Sequence, residues 1–201
     1  MAAVQSVNVA ATSAVCEEAE LHGTISIGRQ CVVHPKCQIR ASAVAPIVIG
    51  DRNILEDRVV VESQANADVD GADRTAKASM MAIGTDNLFE SGCCVRSSRV
   101  GNGNWFEPKA QTLEGSVIGN NCLIGSGVVI DKGEHVPDNT VIVCVQDEQG
   151  RMKRIVRQQK DYLLKARETL VQKYIETFLD TKSIFALEKN HRLVPVLPMD
   201  L

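Results

Sequence analysis

Large rings are what this chain most lacks. Aromatic residues make up 3% of its 201 positions: one Trp, two Tyr and four Phe. A core without rings is filled by Val, Ile, Leu, Ala and Cys, which suits a narrow, repetitive interior better than a bulky globular one. There is no apolar run of about 18 residues, so no membrane span is expected. The charge balance is also unremarkable, at −3 with a pI near 5.8. That excludes an electrostatic nucleic-acid binder. Residues Met1 to Ala14 lack a basic region followed by an apolar stretch, so no secretory leader is expected. The seven cysteines are odd in number and contain no C-x-x-C pair. They read as free thiols in a reducing compartment, most of them acting as small buried hydrophobes.

What the chain has is a repeat. An aliphatic residue recurs every six positions at Val9, Val15, Leu21, Ile27, Val33 and Ile39, then in a new phase at Ile49, Leu55 and Val61. It returns at Ile83, Phe89 and Val95, at Val100, Phe106 and the weak member Thr112, and finally from Ile118 through Ile124, Ile130 and Val136 to Ile142. A period of six fits neither an amphipathic helix nor an alternating strand. It fits a coil with three flat sides, each a short strand and a turn, stacked as a solenoid. The expectation is an all-β chain: a single-stranded parallel β-helix of about seven coils over residues 1–145, followed by a C-terminal α-helix in a tail over 146–201.

Register within the coils can be read from columns of like residues. Ile27-Gly28, Ile49-Gly50, Ile83-Gly84, Val100-Gly101 and Ile118-Gly119 each open a coil, and Val136-Pro137 ends the series. Glycine there suggests a corner that needs permissive backbone angles. Four positions after each of these aliphatics stand Cys31, Asn53, Asn87, Asn104, Cys122 and Thr140. Asn53, Asn87 and Asn104 are expected to form an internal amide ladder that satisfies buried polar groups. On the second side, the residue after each aliphatic is His34, Glu56, Glu90 and Glu107. Stacked about 5–6 Å apart, these carboxylates resist joint ionisation. They are a candidate interaction stripe for a cation or a basic partner surface; a water-screened outer corner is the plainer alternative.

Two interruptions break the repeat: a short bulge around Ala45-Pro46, and a polar insertion near 62–82 that reads as a projecting loop. After Gly150 the periodicity becomes helical. Leu163, Leu170, Tyr174 and Phe178 share one face, with Ala166, Val171 and Ile175 beside them, and charges such as Lys165, Arg167, Glu168 and Lys173 take the other face. This face is expected to lie against the column, cap its end, or dock on a partner.

The ordered segments resemble the dynactin subunit 6 family. The carriers are Ile27-Gly28 leading to Val33-His34-Pro35-Lys36, then Ala45-Pro46-Ile47-Val48-Ile49-Gly50 and Ile83-Gly84-Thr85-Asp86-Asn87. They continue through Phe106-Glu107-Pro108-Lys109-Ala110 and Val136-Pro137-Asp138-Asn139-Thr140. The resemblance implies a left-handed coil, although parallel crossovers are right-handed in about 98% of cases. It also implies a non-catalytic subunit of the dynactin pointed-end complex, located in the cytoplasm on the cytoskeleton and serving dynein-dependent microtubule transport and cargo-adaptor engagement. Its partners would be a paralogous β-helix subunit, an actin-related protein and a large zinc-motif subunit, with no cofactor.

The alternative is a trimeric hexapeptide-repeat enzyme, either γ-carbonic-anhydrase-like or an acyltransferase. A zinc site needs three protein ligands. The four histidines here are His22, His34, His135 and His191, with no pair five residues apart as the anhydrase motif requires. His34 is the only mid-coil candidate for a general base, and no partner carboxylate or acceptor pocket accompanies it in the sequence.

Overall fold

A computed structural model describes residues 6–64, 80–179 and 193–195. The heart of the polar insertion, residues 65–79, lies outside these, as does His191. The chain winds into a left-handed parallel β-helix with three sides. Among the described residues, the first side is a seven-stranded sheet running from Ser6–Val9 to His135–Val136. The third side has six strands, from Glu20–His22 to Val129–Ile130. The second side has nine, because two antiparallel strands extend its seven parallel ones.

Pairing follows the columns read from the sequence. Ile27 lies over Ile49, Ile49 over Ile83, Ile83 over Val100, and Val100 over Ile118. Each inward aliphatic of these pairs is buried. The interior is a continuous cluster whose only rings among the described residues are Phe89 and Phe106, stacked 4.7 Å apart in successive coils. Scarcity of aromatics therefore reflects a column one side chain wide. The phase slips are absorbed at corners: Ala45 and Ser42 form an isolated bridge, and Ser63 Oγ donates to the Ala45 carbonyl.

The glycine column has a different cause from the one its position suggests. Gly28, Gly50, Gly84, Gly101 and Gly119 do not adopt positive φ. Each sits so close to the next coil that a Cβ would overlap its backbone; at Gly84 it would lie 2.7 Å from the Gly101 carbonyl oxygen. The strained position is two residues later, where Gln30, Arg52, Asp86, Gly103, Asn121 and Asn139 all have φ between 55° and 67°. Side-chain oxygens stabilise this corner by accepting backbone N–H bonds from the preceding coil: Asp51 from Arg29 at 2.7 Å, Asn102 from Thr85 at 2.8 Å, and Asn120 from Asn102 at 2.8 Å.

Five of the seven thiols, Cys16, Cys31, Cys37, Cys93 and Cys122, are buried, and none of the seven is joined in a disulfide. Burial pushes Cys31 up to about 11, and Cys37 and Cys93 up to about 12. They fill space as apolar groups.

The boundary expected near residue 145 is displaced. Thr140–Gln146 turns through Asp147 and Gly150 into Met152–Gln158, and the two strands pair antiparallel along their whole length. The second sheet thus continues beyond the repeat. The hairpin pattern was hidden because its exposed side chains, Met152 and Val156 among them, do not alternate with buried ones. The helix, α1, then runs over Asp161–Leu179. At the opposite end of the sheet, Leu193–Pro195 pairs antiparallel with Ala14–Cys16 and covers that edge.

Candidate functional site

The second side carries the chemistry, because its strands are apolar on both faces. Val32-Val33, Ile54-Leu55, Leu88-Phe89 and Trp105-Phe106 each point one residue inward and one outward. The outward column would be a hydrophobic patch if left bare. Helix α1 covers it lengthwise. Val171 and Ile175 pack on Ile54 and Leu88, with Trp105, Tyr174 and Leu179 at the margin, while Tyr174, Phe178 and Leu179 reach Cys16 and Val32. Each fully buried aliphatic contributes about 1.5–3 kcal/mol, so docking is favoured well beyond the intrinsic propensity of an isolated helix. The doublets were the available sequence signal for a covered outer face.

The residues expected on the helix face are not all brought to the column: Ala166 and Leu170 are exposed. Tyr174 and Phe178 face the column, and Leu163 is half-buried. Leu170 points to solvent and is 42% exposed. The buried stripe runs through Arg167, Val171 and Ile175. Leu170 precedes Val171 by one residue, about 100° around the axis, which turns it off the contact line.

His34, Glu56, Glu90 and Glu107 stack in consecutive coils: the N–H groups of His34, Glu56 and Glu90 bond the carbonyls of Leu55, Phe89 and Phe106 in the next coil. They do not share one environment. Glu56 accepts from the Ser91 N–H and hydroxyl at 3.1 and 3.0 Å. Glu107 accepts from the Ser126 N–H at 2.9 Å. Glu90 accepts from the Trp105 indole at 2.5 Å. Burial raises the Glu90 carboxyl above the usual range, helped by Glu56 and Glu107 and opposed by the Trp105 bond. The three carboxylates thus already bind groups of their own chain.

His34 is drawn under α1. Its Nε2 lies 2.5 Å from the Tyr174 hydroxyl and its Nδ1 is 3.4 Å from Asp57 Oδ1. Tyr174 and Phe178 meet the imidazole edge-on, with ring centroids 5.7 and 5.4 Å away. Burial holds His34 below its ordinary value, while Asp57 and Glu56 pull the other way. An unfolded imidazole titrates near pH 6.5. The unfolded state therefore takes up a proton first as the pH falls below that value, and the stability contributed by neutral His34 is lost from there downward. Thermal midpoints at about pH 7.5 and about pH 5.5 should fall further in the native chain than in His34→Gln, which keeps an acceptor for Tyr174. Equal falls would remove His34 from the helix contact.

The expected amide ladder sits inside the corner between the first two sides. Asn53 Nδ2 donates to the carbonyls of Gly50 at 2.9 Å and Gly84 at 2.8 Å. Asn87 donates to Asn53 Oδ1 from its side chain at 2.9 Å and its backbone at 3.1 Å. The N–H of Asn104 donates to Asn87 Oδ1 at 2.8 Å, and that of Cys122 to Asn104 Oδ1 at 2.7 Å. Each amide oxygen replaces a backbone acceptor that the corner cannot supply. At the end of the row, Asn104 Nδ2 is buried with no hydrogen-bond partner among the described residues.

His22 lies exposed on the third side and His135 exposed on the first, so three different sides carry the three described histidines. Among the described residues, no helix is long and apolar enough to cross a membrane.

Comparison with known proteins agrees with this geometry. Residues 97–132 match the family model described as bacterial transferase hexapeptide, six repeats. A crystal structure of a hexapeptide transferase family protein from Anaplasma phagocytophilum superposes with a TM-score of 0.67 at 17% identity, covering 85% of this chain and 90% of that one, a likeness of fold. A carbonic anhydrase from Methanosarcina thermophila is 25% identical over 144 residues, 65% of this chain and 58% of its own. Dynactin subunit 6 of Xenopus tropicalis is 33% identical over 162 residues, 79% of this chain and 80% of its own. With its coils, its doubled second side and a relative matched over most of both lengths, the chain belongs to the dynactin subunit 6 family.

Proposed function

We propose that this chain is a non-catalytic structural subunit of the dynactin pointed-end complex, acting in the cytoplasm on the cytoskeleton and supporting dynein-dependent transport and the engagement of cargo adaptors. Its neighbours on this reading are a paralogous β-helix subunit, an actin-related protein and a large zinc-motif subunit. The observation that carries the reading is the state of His34. A general base needs a free nitrogen within reach of a substrate proton. Asp57 near Nδ1 supplies the carboxylate partner that the sequence did not name, but Nε2, the nitrogen a substrate would need, is engaged by Tyr174, and Tyr174 and Phe178 of α1 cover the ring.

The likeness to the methanogen anhydrase favours one competing reading, a trimeric metal enzyme. Zinc catalysis needs three converging ligands and an open position. His22, His34 and His135 diverge onto three sides of one column, and His34 is enclosed.

The test is affinity isolation of the tagged chain from its own cells, with the recovered proteins identified by mass spectrometry. Recovery with the actin-related filament and pointed-end subunits supports the proposal. Recovery of the chain only with itself, carrying zinc or an acyl donor, overturns it.

A further inference from the structure

Helix α1 brings one cation into its buried stripe. Arg167 is 4% exposed, one turn before Val171 in that stripe. It enters where the positive-φ corner loses its side chain. The other residues of that corner are Gln30, Arg52, Asp86, Asn121 and Asn139, but the position facing Arg167 is Gly103. A Cβ on Gly103 would lie 3.0 Å from Arg167 Nη2, so the guanidinium occupies that space.

The charge is held without a matching anion. Arg167 Nη1 donates to the Asp86 backbone carbonyl at 2.6 Å, a neutral acceptor. The Asp86 carboxylate is turned instead to Arg52 Nε, 2.7 Å away. Arg167 Nε is buried and finds no partner among the described residues. Burial lowers the affinity of this guanidinium for its proton in spite of Asp86 and Glu168, so its charge is incompletely compensated. A buried donor left unpaired is costly, and more so when charged.

The same guanidinium helps line an open groove of about 690 Å³ between α1 and the column. Lys173 and the Arg52–Asp86 ion pair also line it, and Glu168 and Glu176 stand on the helix side. This volume falls within the usual range for ligand sites, about 300–1,000 Å³. A planar carboxylate matches the guanidinium fork bidentately. The carboxylates of Asp86, Glu168 and Glu176 oppose a phosphate dianion or a run of acidic residues, and tolerate a single negative charge.

We propose that this groove is a recognition site for one Asp or Glu side chain of a partner polypeptide, which completes the ion pair that Arg167 lacks. The carboxylate approaches the Nη2 side over Gly103, with Lys173 as the second cation. The flanking residues of the partner are uncharged or basic, to suit Glu168 and Glu176. The site is separate from the His34 stripe, and its recognition chemistry holds whichever complex the chain enters.

The experiment is a titration of the full-length, nitrogen-15-labelled chain, reading the Arg167 Nε–Hε resonance, with four probes: acetyl-Ala-Asp-Ala-amide, its Asn counterpart, sodium acetate and inorganic phosphate. The Asp peptide should shift the resonance saturably and bind at least about tenfold more tightly than the Asn peptide. Arg167→Lys, which keeps the charge but loses the fork, should weaken the Asp peptide by about tenfold while the remaining spectrum stays native. Should that variant fail to fold, the Asp-to-Asn ratio in the native chain still decides. Equal binding of the two peptides, acetate binding as tightly as the Asp peptide, or phosphate shifting the resonance at lower concentration would overturn the assignment. A failed co-purification of dynactin subunits would leave this titration unaffected, so the two proposals fail separately.

Discussion

Gly101→Ala is expected to lower the urea midpoint of unfolding severely, corresponding to a loss of about 3 kcal/mol or more. The added Cβ would stand 2.5 Å from the Gly119 carbonyl oxygen and 2.7 Å from its carbonyl carbon. Both obstacles are backbone, so relief requires two coils to separate. The first-side ladder runs through that point, where the Gly101 N–H bonds the Ile118 carbonyl at 2.9 Å. Gly127→Ala is the control. Gly127 has φ of 65° and open space around its Cβ direction. Its replacement meets the ordinary left-handed strain of about 1–2 kcal/mol. A domain of this size is stable by about 5–15 kcal/mol, so the first change threatens the fold and the second does not. Equal losses at the two glycines would mean that coil spacing is softer than described.

Asn87→Asp is expected to invert part of the pH dependence of stability. Asn87 is 0% exposed, donates its amide to Asn53 Oδ1 and accepts the Asn104 N–H. An aspartate there keeps the acceptor but, when ionised, sets a buried charge against the Asn53 oxygen. The cost at neutral pH is about 3–5 kcal/mol, as for other uncompensated buried charges. Burial raises the folded carboxyl above its unfolded value of about 3.9. Between the two values the folded state binds more protons than the unfolded one, so stability falls as pH rises and returns as pH falls. Denaturation at about pH 4.5 and about pH 7.5 should find the variant closer to the native chain at the lower pH. Asn87→Ala, with no titratable group, loses the ladder at both pH values alike. A variant whose deficit does not change with pH would show that the amide ladder is not a closed, dry column.

The column was legible because its signal is covalent in the chain: one aliphatic residue every six positions, each facing the same narrow interior. Ile27, Ile49, Ile83, Val100 and Ile118 stack as their spacing requires, even across the phase slips at Ile49 and Ile83. The family assignment rests on 33% identity over 162 residues. The reason for each glycine was less accessible. Periodicity locates Gly101, but only the distance between coils separates close approach from a positive φ. The outer face of the second side was readable in principle, in doublets such as Ile54-Leu55 and Leu88-Phe89. Attention to the inward member alone hid the surface that α1 covers. The hairpin ending at Gln158 carries exposed side chains on both faces, so binary patterning could not mark it. Arg167 is the instructive correction: expected on the polar face of α1, it is buried. Counted as a charge, it belongs with the solvent face of α1. Its place, one turn before Val171 in the buried stripe, puts it on the column. The stripe of His34 and three glutamates follows from spacing, but the partners that occupy it, Tyr174, Ser91, Trp105 and Ser126, come from distant segments that no local pattern connects.

The claim that organises these observations is that the chain works through its surfaces within a larger assembly, with His34 serving the α1 contact. Native mass spectrometry of the affinity-isolated material, with zinc quantified on the same sample, tests it most directly. The account predicts one copy of this chain in a hetero-assembly with actin-related and pointed-end subunits, and no zinc stoichiometric with the chain. A homotrimer holding one zinc per histidine-bearing interface, free of those subunits, would contradict it.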